Sequence, residues 1–491
     1  METDPATDPA DAERVLRRVA EAAPGYLASL AGRLVDDPAG RPLLAELAGP
    51  LPENGAGAEV AVEELLRIGT GAATHSSGPR FFHFVVGGAT PAATAGDWIA
   101  TLLDQNAVLW TSSPLATTAE TVALGWLKDL FGLPAGWGGV LTPSATFANL
   151  TGLAAARHWW AARHGRDVAA DGLAGLPAMP VLGGGYVHPS ARKALQILGC
   201  GRDTVRTHTR DDAGRIDLDA LATALEHTGP AVLIATAGEV NAGDFDPIDA
   251  MADLAAEHGC WLHVDGAFGL FAALSPRTEH LLRGIGRADS VAADAHKWLN
   301  VPYESGFAFA RDPQALADAF GSWNAPYLVS TDTEVDYSRL GPESSRRARA
   351  LPIWATLRAY GRSGYRAIVE RNLDLTRRLG ALVEAAPDLE LLAPVRLCVA
   401  CFRYRPPGVP EVALDELNAR LGRALLATAG CTPGRRCTAG TRRCGRRSST
   451  GAPRRPTSSC SSTWSGSWVS DSFKTWRERG RTVAPWHPDL T

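Results

Sequence analysis

The sequence predicts an α/β protein with a mostly parallel sheet in its large domain. Three short apolar segments rich in strand-forming residues predict buried strands, at 231–236, 260–264 and 290–293. A helical pattern at 249–258 separates the first two of them. Buried strands that alternate with helices are typical of parallel sheets, which are covered on both faces. Each of the three segments ends in polar residues, and ligands of open sheets bind beyond the carboxyl ends of the strands.

Asp265 and Lys297 follow the second and third of these strands, in the strings HVDGAFG and DAHKW. An aspartate and a lysine in this order, with His296 beside the lysine, indicate a site for pyridoxal 5'-phosphate. The lysine would hold the cofactor as a Schiff base, and the aspartate would keep the pyridine nitrogen protonated, so that the ring accepts electrons from the α-carbon of an amino acid. A lone Asp or Lys in such a turn is more often a solvated residue. Several polar groups in order at strand ends favour the site.

The segment 138–160 is the candidate phosphate site. A short strand pattern leads into a polar turn, and a helical pattern follows it. The N–H groups that open a helix lie at the positive end of its dipole and suit a phosphate dianion. Ser144 and Thr146 could add hydroxyl donors. An ordinary Ser/Thr N-cap is the alternative, and it is commoner for a single turn of this kind.

His188 is a further candidate because it follows a brief apolar stretch and precedes a helix that begins near Pro189. From a strand end, its imidazole could stack on the flat face of the cofactor ring and contact the substrate carboxylate. The alternative is a structural histidine, one of twelve in the chain.

Composition excludes several classes of protein. Hydrophobic residues make up 45% of the 491 residues and the net charge is −4, which argues against disorder and against general nucleic-acid binding. No apolar segment approaches the length of a membrane span. The acidic N-terminal sequence lacks the apolar core of a signal peptide, so we expect a cytoplasmic protein. Cys398 and Cys401 have no second pair to complete a zinc site, and we expect no metal.

From about residue 79 to 430 the chain resembles the group II pyridoxal-phosphate-dependent amino acid decarboxylases, the family of aromatic-L-amino-acid, histidine and glutamate decarboxylases. The matching strings are PRFFHF (79–84), SPLATTAE (113–120), LTPSATFANL (141–150), VHPSARKA (187–194), ATAGEVNAGDFDP (235–247), HVDGAFG (263–269) and DAHKWLNVPYESG (294–306). The resemblance implies fold type I, the aspartate-aminotransferase-like fold, with a large cofactor domain and a smaller α+β domain. It also implies a homodimer.

The resemblance assigns roles to matching residues. Lys297 forms the Schiff base and Asp265 pairs with the pyridine nitrogen, while Ala267 and His188 cover the two faces of the ring. The cofactor's other polar groups would be met by Ser144, Ala145, Thr146 and His296 at the phosphate and by Thr236 near the 3-hydroxyl. The remaining roles belong to the substrate: Tyr327, with Tyr337 as a rival, would reprotonate the α-carbon, and Trp110 and Phe81 lie near the substrate pocket.

The resemblance therefore implies decarboxylation of an L-amino acid to the amine and CO2. Trp110, Phe81 and Phe82 favour an aromatic or bulky apolar substrate, although such residues are more often core than pocket. A transaminase or an aldehyde-forming enzyme is the alternative within the same cofactor class. An inactive product of a frameshifted gene is the alternative of a different kind.

Four segments are expected. Residues 1–75 form a helical dimerisation segment, 76–365 the large cofactor domain, and 366–430 a truncated small domain. Residues 431–491 contain arginine doublets, four of the eight cysteines and very few aliphatic residues, and they predict a basic, disordered tail. So abrupt a change favours translation in a shifted reading frame. The rival interpretation is a genuine basic tail that contacts nucleic acid or membrane.

Overall fold

The computed structural model describes residues 9–321 and 334–427, together with the backbone of two strands at 432–439 and 458–465. Its helices are α1 (Pro9–Ser29), α2 (Ala58–Ala72), α3 (Pro91–Leu103), α4 (Pro114–Phe131), α5 (Ala145–Arg163), α6 (Val168–Asp171), α7 (Pro189–Ile197), α8 (Leu218–Thr228), α9 (Ile248–Glu257), α10 (Pro313–Phe320), α11 (Ala350–Glu384) and α12 (Glu411–Ala427). Short 3₁₀ segments lie at Pro38–Leu47, Gly269–Leu274, Glu279–Leu282, Ile285–Arg287 and Tyr337–Arg339.

The strands form two sheets. They are β1 (Phe81–Phe82), β2 (Gly138–Thr142), β3 (Val181–Gly183), β4 (Val205–Thr207), β5 (Val232–Thr236), β6 (Trp261–Asp265), β7 (Ser290–Asp294), β8 (Gly306–Ala310), β9 (Leu389–Leu391), β10 (Val399–Tyr404), β11 (Thr432–Ala439) and β12 (Ser458–Ser465). The larger sheet has the order β2-β8-β7-β6-β5-β3-β4. Its strands β7, β6, β5, β3 and β4 are parallel, and β8 is antiparallel to both of its neighbours. The predicted α/β fold with a mostly parallel sheet is confirmed.

The three predicted central strands form within one residue of their expected starts. Every residue of β5, β6 and β7 is buried, as continuous apolar segments require in a sheet covered by helices. Helix α5 packs against β6, β7 and β8, and α9 packs against β5 and β6. These contacts hold the carboxyl ends of β5, β6 and β7 at one edge of the sheet.

Helix α11 connects the large sheet to the smaller one. It packs along α3 and α4 and reaches β9 and β10. Gly361 interrupts its helical backbone with a φ of 58°, a conformation that glycine adopts without steric cost. The expected boundary between residues 365 and 366 lies inside this helix, four residues after the interruption. At the other end of the chain, α1 and α2 pack against each other.

The smaller sheet differs from the sequence-based expectation for residues 431–491. Its order is β1-β11-β12-β10-β9, so two strands of this region pair beside β10. The expectation of a wholly disordered tail assumed that a segment almost without aliphatic residues cannot join a fold. Strand pairing, however, uses backbone N–H and C=O groups, and an open edge such as that of β10 offers them to any extended segment.

Within the described part of the chain, no helix has both the length and the apolar character to cross a bilayer. The same residues contain no group of three or more His, Cys, Asp or Glu side chains placed to hold a metal ion.

Candidate active site

Three polar side chains end three adjacent strands at the same edge of the large sheet. Thr236 is the last residue of β5, Asp265 of β6 and Asp294 of β7. Thr236 and Asp265 are direct partners in the register of the parallel pair. The sheet thus places the predicted cofactor residues side by side at the carboxyl ends of the strands, where open α/β sheets bind ligands.

Lys297 follows β7 after a short turn, and its side chain is 17% exposed. Its Nζ lies 3.1 Å from Oδ2 of Asp294 and 5.7 Å from the centre of the Phe268 ring. The ammonium group is therefore held by one carboxylate against one aromatic face. Asp294 was not predicted as a site residue, although it is the first residue of the string DAHKW.

Asp265 is 3% exposed, and each of its carboxylate oxygens accepts a hydrogen bond. Oδ2 accepts from Nδ2 of Asn149 at 2.9 Å, and Oδ1 accepts from the backbone N–H of Ala267 at 3.1 Å. These two donors fix the orientation of the carboxylate. Asn149 was missed because an amide inside a helical pattern resembles any other polar helix residue.

The predicted phosphate turn lies at the N-terminus of α5. Ser144 is the N-cap, and the backbone N–H of Ala145 donates to Oδ1 of Asp294 at 2.5 Å. Gly306 opens β8 directly beneath this turn, where a Cβ atom would lie 2.6 Å from the carbonyl carbon of Ser144. Thr146 is half-buried in the first turn of the helix. This turn is therefore built from backbone in close contact, and the phosphate-binding role of 144–146 stays a prediction.

His188 is the N-cap of α7 and is exposed. Its Nδ1 accepts from the backbone N–H of Ser190 at 3.2 Å and lies 2.7 Å from the Ser190 hydroxyl. Because Nδ1 is an acceptor in these contacts, the neutral imidazole carries its proton on Nε2. The ring therefore points a single N–H donor away from α7.

His296 is buried beside Lys297. Its Nδ1 donates to the carbonyl oxygen of Ser305 at 2.9 Å, and its ring stacks on Tyr303 with 4.2 Å between centres. Burial lowers the pKa of His296, and Lys297 lowers it further, while Asp294 acts in the opposite direction. The imidazole is therefore neutral at physiological pH and serves as a packed wall of the site.

A cavity of about 410 Å³ opens beside Lys297. Its lining is mostly apolar and includes part of the turn after α1; it comprises Leu27, Leu30, Ala31, Ser77, Gly78, Pro79, Phe81, Val85, Val86, Gly87, Lys297, Trp298, Asn300, Ile368, Asn372 and Cys398. Phe81 and Lys297 thus line the same cavity, and the substrate role of Phe81 stays a prediction. Trp110 is not in this lining, and its side chain is 37% exposed elsewhere on the described surface.

The two tyrosines considered for proton delivery have different outcomes. Tyr327 lies outside the described residues. Tyr337 is 2% exposed, its hydroxyl lies 2.9 Å from Oγ1 of Thr121, and the Arg346 guanidinium stacks over its ring at 4.9 Å. Burial raises the pKa of Tyr337 well above its ordinary value. Tyr337 is therefore engaged in packing and makes no contact with the cavity beside Lys297.

The residues present fit pyridoxal phosphate. The hydroxyl oxygen of Thr236 is buried and has no hydrogen-bond partner among the described residues, so it is ready for a polar group of a ligand. The site also contains Lys297 for the Schiff base, a fixed carboxylate at Asp265 and the N-terminus of α5 for the phosphate. This donor set matches the ring nitrogen, the phosphate and the aldehyde of the cofactor.

The fold and the site define a pyridoxal-phosphate enzyme of fold type I. Residues 52–405 match the family model described as the pyridoxal-dependent decarboxylase conserved domain. The chain belongs to the pyridoxal-dependent decarboxylases, and it is a carboxy-lyase that uses pyridoxal phosphate.

Relatives and solved structures agree with this family. The chain is 29% identical over 381 residues to an aromatic-L-amino-acid decarboxylase of Bacillus atrophaeus, which covers 76% of this chain and 77% of the relative. It is 28% identical over 379 residues to a phenylacetaldehyde synthase of a Rosa hybrid cultivar, at 72% and 73% coverage. The crystal structure of Oryza sativa TDC with PLP and tryptamine superposes with a TM-score of 0.84 at 25% identity, over 97% of this chain and 99% of that one.

Proposed function

We propose that this decarboxylase acts on an aromatic L-amino acid and releases CO2 and the corresponding amine. The observation that carries the proposal is the neutral lining of the cavity beside Lys297. Among its described lining residues, Lys297 is the only one with a charged side chain. Burial raises the pKa of the Cys398 thiol to about 12, so this group is neutral as well.

A neutral cavity disfavours acidic and basic substrate side chains. With Lys297 engaged by the cofactor, a carboxylate or ammonium group on the substrate side chain would lose its hydration in this cavity without gaining a partner of opposite charge. Phe81, Val85 and Leu30 offer apolar contact instead. The relative from Bacillus atrophaeus is named for aromatic L-amino acids, which agrees with this choice.

The proposed roles of the site residues are those that the family resemblance implies, and their positions support them. The bound cofactor supplies an electron-accepting ring that stabilises the negative charge left at the α-carbon when CO2 departs. Lys297 holds the cofactor and Asp265 holds its ring nitrogen. Ala267 and His188 bound the ring on its two faces, and Thr236 meets its polar edge. The phosphate is held at the turn by Ser144, Ala145 and Thr146, and His296 packs beside this turn.

An aldehyde-forming activity is the second candidate, since one relative is named phenylacetaldehyde synthase. The two reactions differ in whether the α-carbon receives a proton after CO2 leaves. Without that proton, aldehyde formation requires dioxygen to accept two electrons as hydrogen peroxide, while water supplies the aldehyde oxygen and the nitrogen leaves as ammonia. We assign that proton to Tyr327. Tyr327→Phe should move product from amine to aldehyde, measured by chromatography of both, and unchanged amine output would exclude the tyrosine.

We further propose a homodimer that acts in the cytoplasm. Large apolar side chains are exposed along α1 and α2, among them Leu16 at 59%, Leu27 at 57% and Leu65 at 61%. Several large apolar side chains exposed on one pair of packed helices favour an interface there. The segment 1–75 is the dimerisation segment in this proposal, followed by the cofactor domain 76–365, the small domain 366–430 and the basic region 431–491. Light scattering of the purified protein measures the oligomeric state directly.

The decisive experiment combines a spectrum with a substrate screen. The purified protein with added pyridoxal phosphate should show a visible absorption band that disappears in Lys297→Ala and persists in Lys193→Ala, an exposed lysine on α7. CO2 release should be found with tyrosine, tryptophan or phenylalanine and not with glutamate. Release from glutamate alone would refute the aromatic proposal, and a wild-type protein without the band would refute the cofactor assignment.

A further inference from the structure

A continuous chain of buried hydrogen bonds ends on Asp265. The indole Nε1 of Trp261 donates to Oγ of Ser290 at 2.9 Å, and this oxygen lies 2.8 Å from Nδ1 of His263. Nε2 of His263 lies 2.8 Å from Oδ1 of Asn149, whose Nδ2 donates to Oδ2 of Asp265 at 2.9 Å. The three middle residues are completely buried, so water does not compete for these bonds.

The two ends of the chain fix the direction of every bond in it. An indole only donates and a carboxylate only accepts. Asn149 must therefore turn its NH2 group to Asp265 and its carbonyl oxygen to His263, which must carry its proton on Nε2. Burial lowers the pKa of His263 to about 4, so the imidazole is neutral and its Nδ1 accepts from the Ser290 hydroxyl. All donors point the same way, an arrangement in which successive bonds polarise one another.

Asn149 also connects this chain to His188. Its Nδ2 lies 3.2 Å from Oγ of Ser190, and that hydroxyl lies 2.7 Å from Nδ1 of His188. The two hydrogens of one amide thus serve two different site residues. One reaches the carboxylate at the end of β6, and the other reaches the N-cap of α7 through a single serine.

The His263 ring packs closely against helix α5. A Cβ atom on Gly152 would lie 2.8 Å from Cε1 of His263 and 2.9 Å from its Nδ1. The imidazole therefore lies directly on the backbone of α5, one turn beyond Asn149. A larger residue at 152 would push the ring off the amide.

We propose that Asn149 is a positioning residue for the reaction: its amide, oriented by His263, sets the carboxylate of Asp265 and the imidazole of His188 relative to each other. The inference rests on the proposed roles of those two residues around the cofactor ring. In that proposal Asn149 contacts neither cofactor nor substrate, and it acts through Asp265 and His188.

The test measures cofactor affinity by titrating the apoprotein with pyridoxal phosphate and following the visible band. Asn149→Leu keeps the volume and removes both donors, so it should weaken binding roughly 10- to 100-fold, the size expected for a lost hydrogen bond to a charged group. Asn149→Thr keeps one donor and should fall between Asn149→Leu and wild type. The kcat should fall with Asn149→Leu, whereas the KM for the amino acid should change less.

Substitutions of His263 distinguish a hydrogen-bonding role from a role in packing alone, because the two roles predict different cofactor affinities. His263→Gln retains one donor and one acceptor and should bind the cofactor more tightly than His263→Leu, although the two side chains have similar volumes. A purely structural role would make both variants equal, or would favour the leucine in so buried a position.

Asn418 is the matched control. It is a buried asparagine whose amide bonds the backbone of Tyr404 and Leu414 in the small domain. Asn418→Leu should lower the melting temperature of the apoprotein without changing cofactor affinity. If the wild type binds the cofactor and Asn149→Leu binds it within twofold of wild type, the positioning role is wrong. A wild type that shows no band refutes the proposed function first.

Discussion

Replacing Arg346 by methionine should destabilise the protein by about 3–5 kcal/mol, the range found when one partner of a buried ion pair is removed. The side chains of Arg346 and Glu120 are each 2% exposed and form an ion pair. Nε of Arg346 also donates to the carbonyl of Ala107 at 2.9 Å, and Nη1 donates to the carbonyl of Leu141 at 3.1 Å. Methionine fills much of the volume and replaces none of these donors.

The magnitude follows from what the substitution leaves behind. Burial raises the pKa of Glu120, and Arg346 together with the Leu141 N–H opposes that rise. Without the guanidinium, Glu120 either stays charged without a partner or takes up a proton, and both states are unfavourable in the folded protein. Two backbone carbonyls also lose their donor. A loss of this size is a large share of a typical stability of about 5–15 kcal/mol.

Urea unfolding followed by circular dichroism measures the effect, and the adjacent Arg347 is the matched control. Arg347 is 40% exposed and pairs with Asp97 at 3.1 Å, so Arg347→Met should change stability by about 1 kcal/mol or less. Adding Glu120→Gln to Arg346→Met should recover part of the loss, because the orphaned carboxylate is removed. An Arg346→Met protein as stable as Arg347→Met would refute the reasoning.

Two further substitutions test the site and its pH dependence. Gly306→Ala places a Cβ atom 2.6 Å from backbone of Ser144 and should destabilise the protein by about 1–3 kcal/mol while weakening cofactor binding; Gly341→Ala, with only an ordinary contact at 3.8 Å, should do neither. Burial lowers the pKa of His263 to about 4 in the folded protein, whereas in the unfolded protein it is about 6.5. As the pH falls from about 6.5 towards 4, the unfolded protein therefore binds a proton at His263 that the folded protein does not. Between about pH 6.5 and 4, the free energy of unfolding of the wild-type apoprotein should therefore fall by about 3 kcal/mol more than that of His263→Gln. Thermal melts with the same pH profile for both proteins would contradict this.

The residues at the strand ends were predictable from the sequence, because the hydrophobic pattern of a segment determines where it lies in a parallel sheet. Short continuous apolar segments form buried strands, and in a parallel sheet their carboxyl ends meet at one edge. Thr236 and Asp265 are accordingly the last residues of β5 and β6. The helix N-terminus at Ser144 followed from the same logic, since a polar turn between a strand and a helical pattern presents backbone donors, of which the Ala145 N–H is bonded to Asp294 in this structure.

The residues that orient those groups could not be predicted in the same way. Asn149 and Asp265 are separated by 116 positions in the chain, and Asn149 and His263 by 114. No local pattern indicates such pairs. The one available signal is His263 itself, a histidine inside an apolar strand two residues before the aspartate. A polar side chain that is completely buried requires a partner, so its position implies a network without naming its members.

The strands at 432–439 and 458–465 were missed for a different reason. Residues 431–491 contain too few aliphatic side chains for a core face, and the prediction of disorder rested on that shortage. Pairing along β10 does not require aliphatic side chains, because main-chain groups make the hydrogen bonds in the register Val399↔Ser465 to Phe402↔Ser462. Composition is therefore a poor guide wherever an existing sheet edge is free to pair.

Charge in this site is separated from the cavity that we assign to the substrate. Asp265 and Asp294 are both held at strand ends by N–H donors or by the lysine, while the described cavity lining beyond Lys297 is neutral. Selectivity among neutral amino acids must then come from apolar contact and shape. One methylene group in such a pocket changes the transition-state energy by only about 1–3 kcal/mol. We therefore expect several aromatic amino acids to react, with rates that differ by no more than about 200-fold, whereas charged amino acids are rejected by the cost of their desolvation.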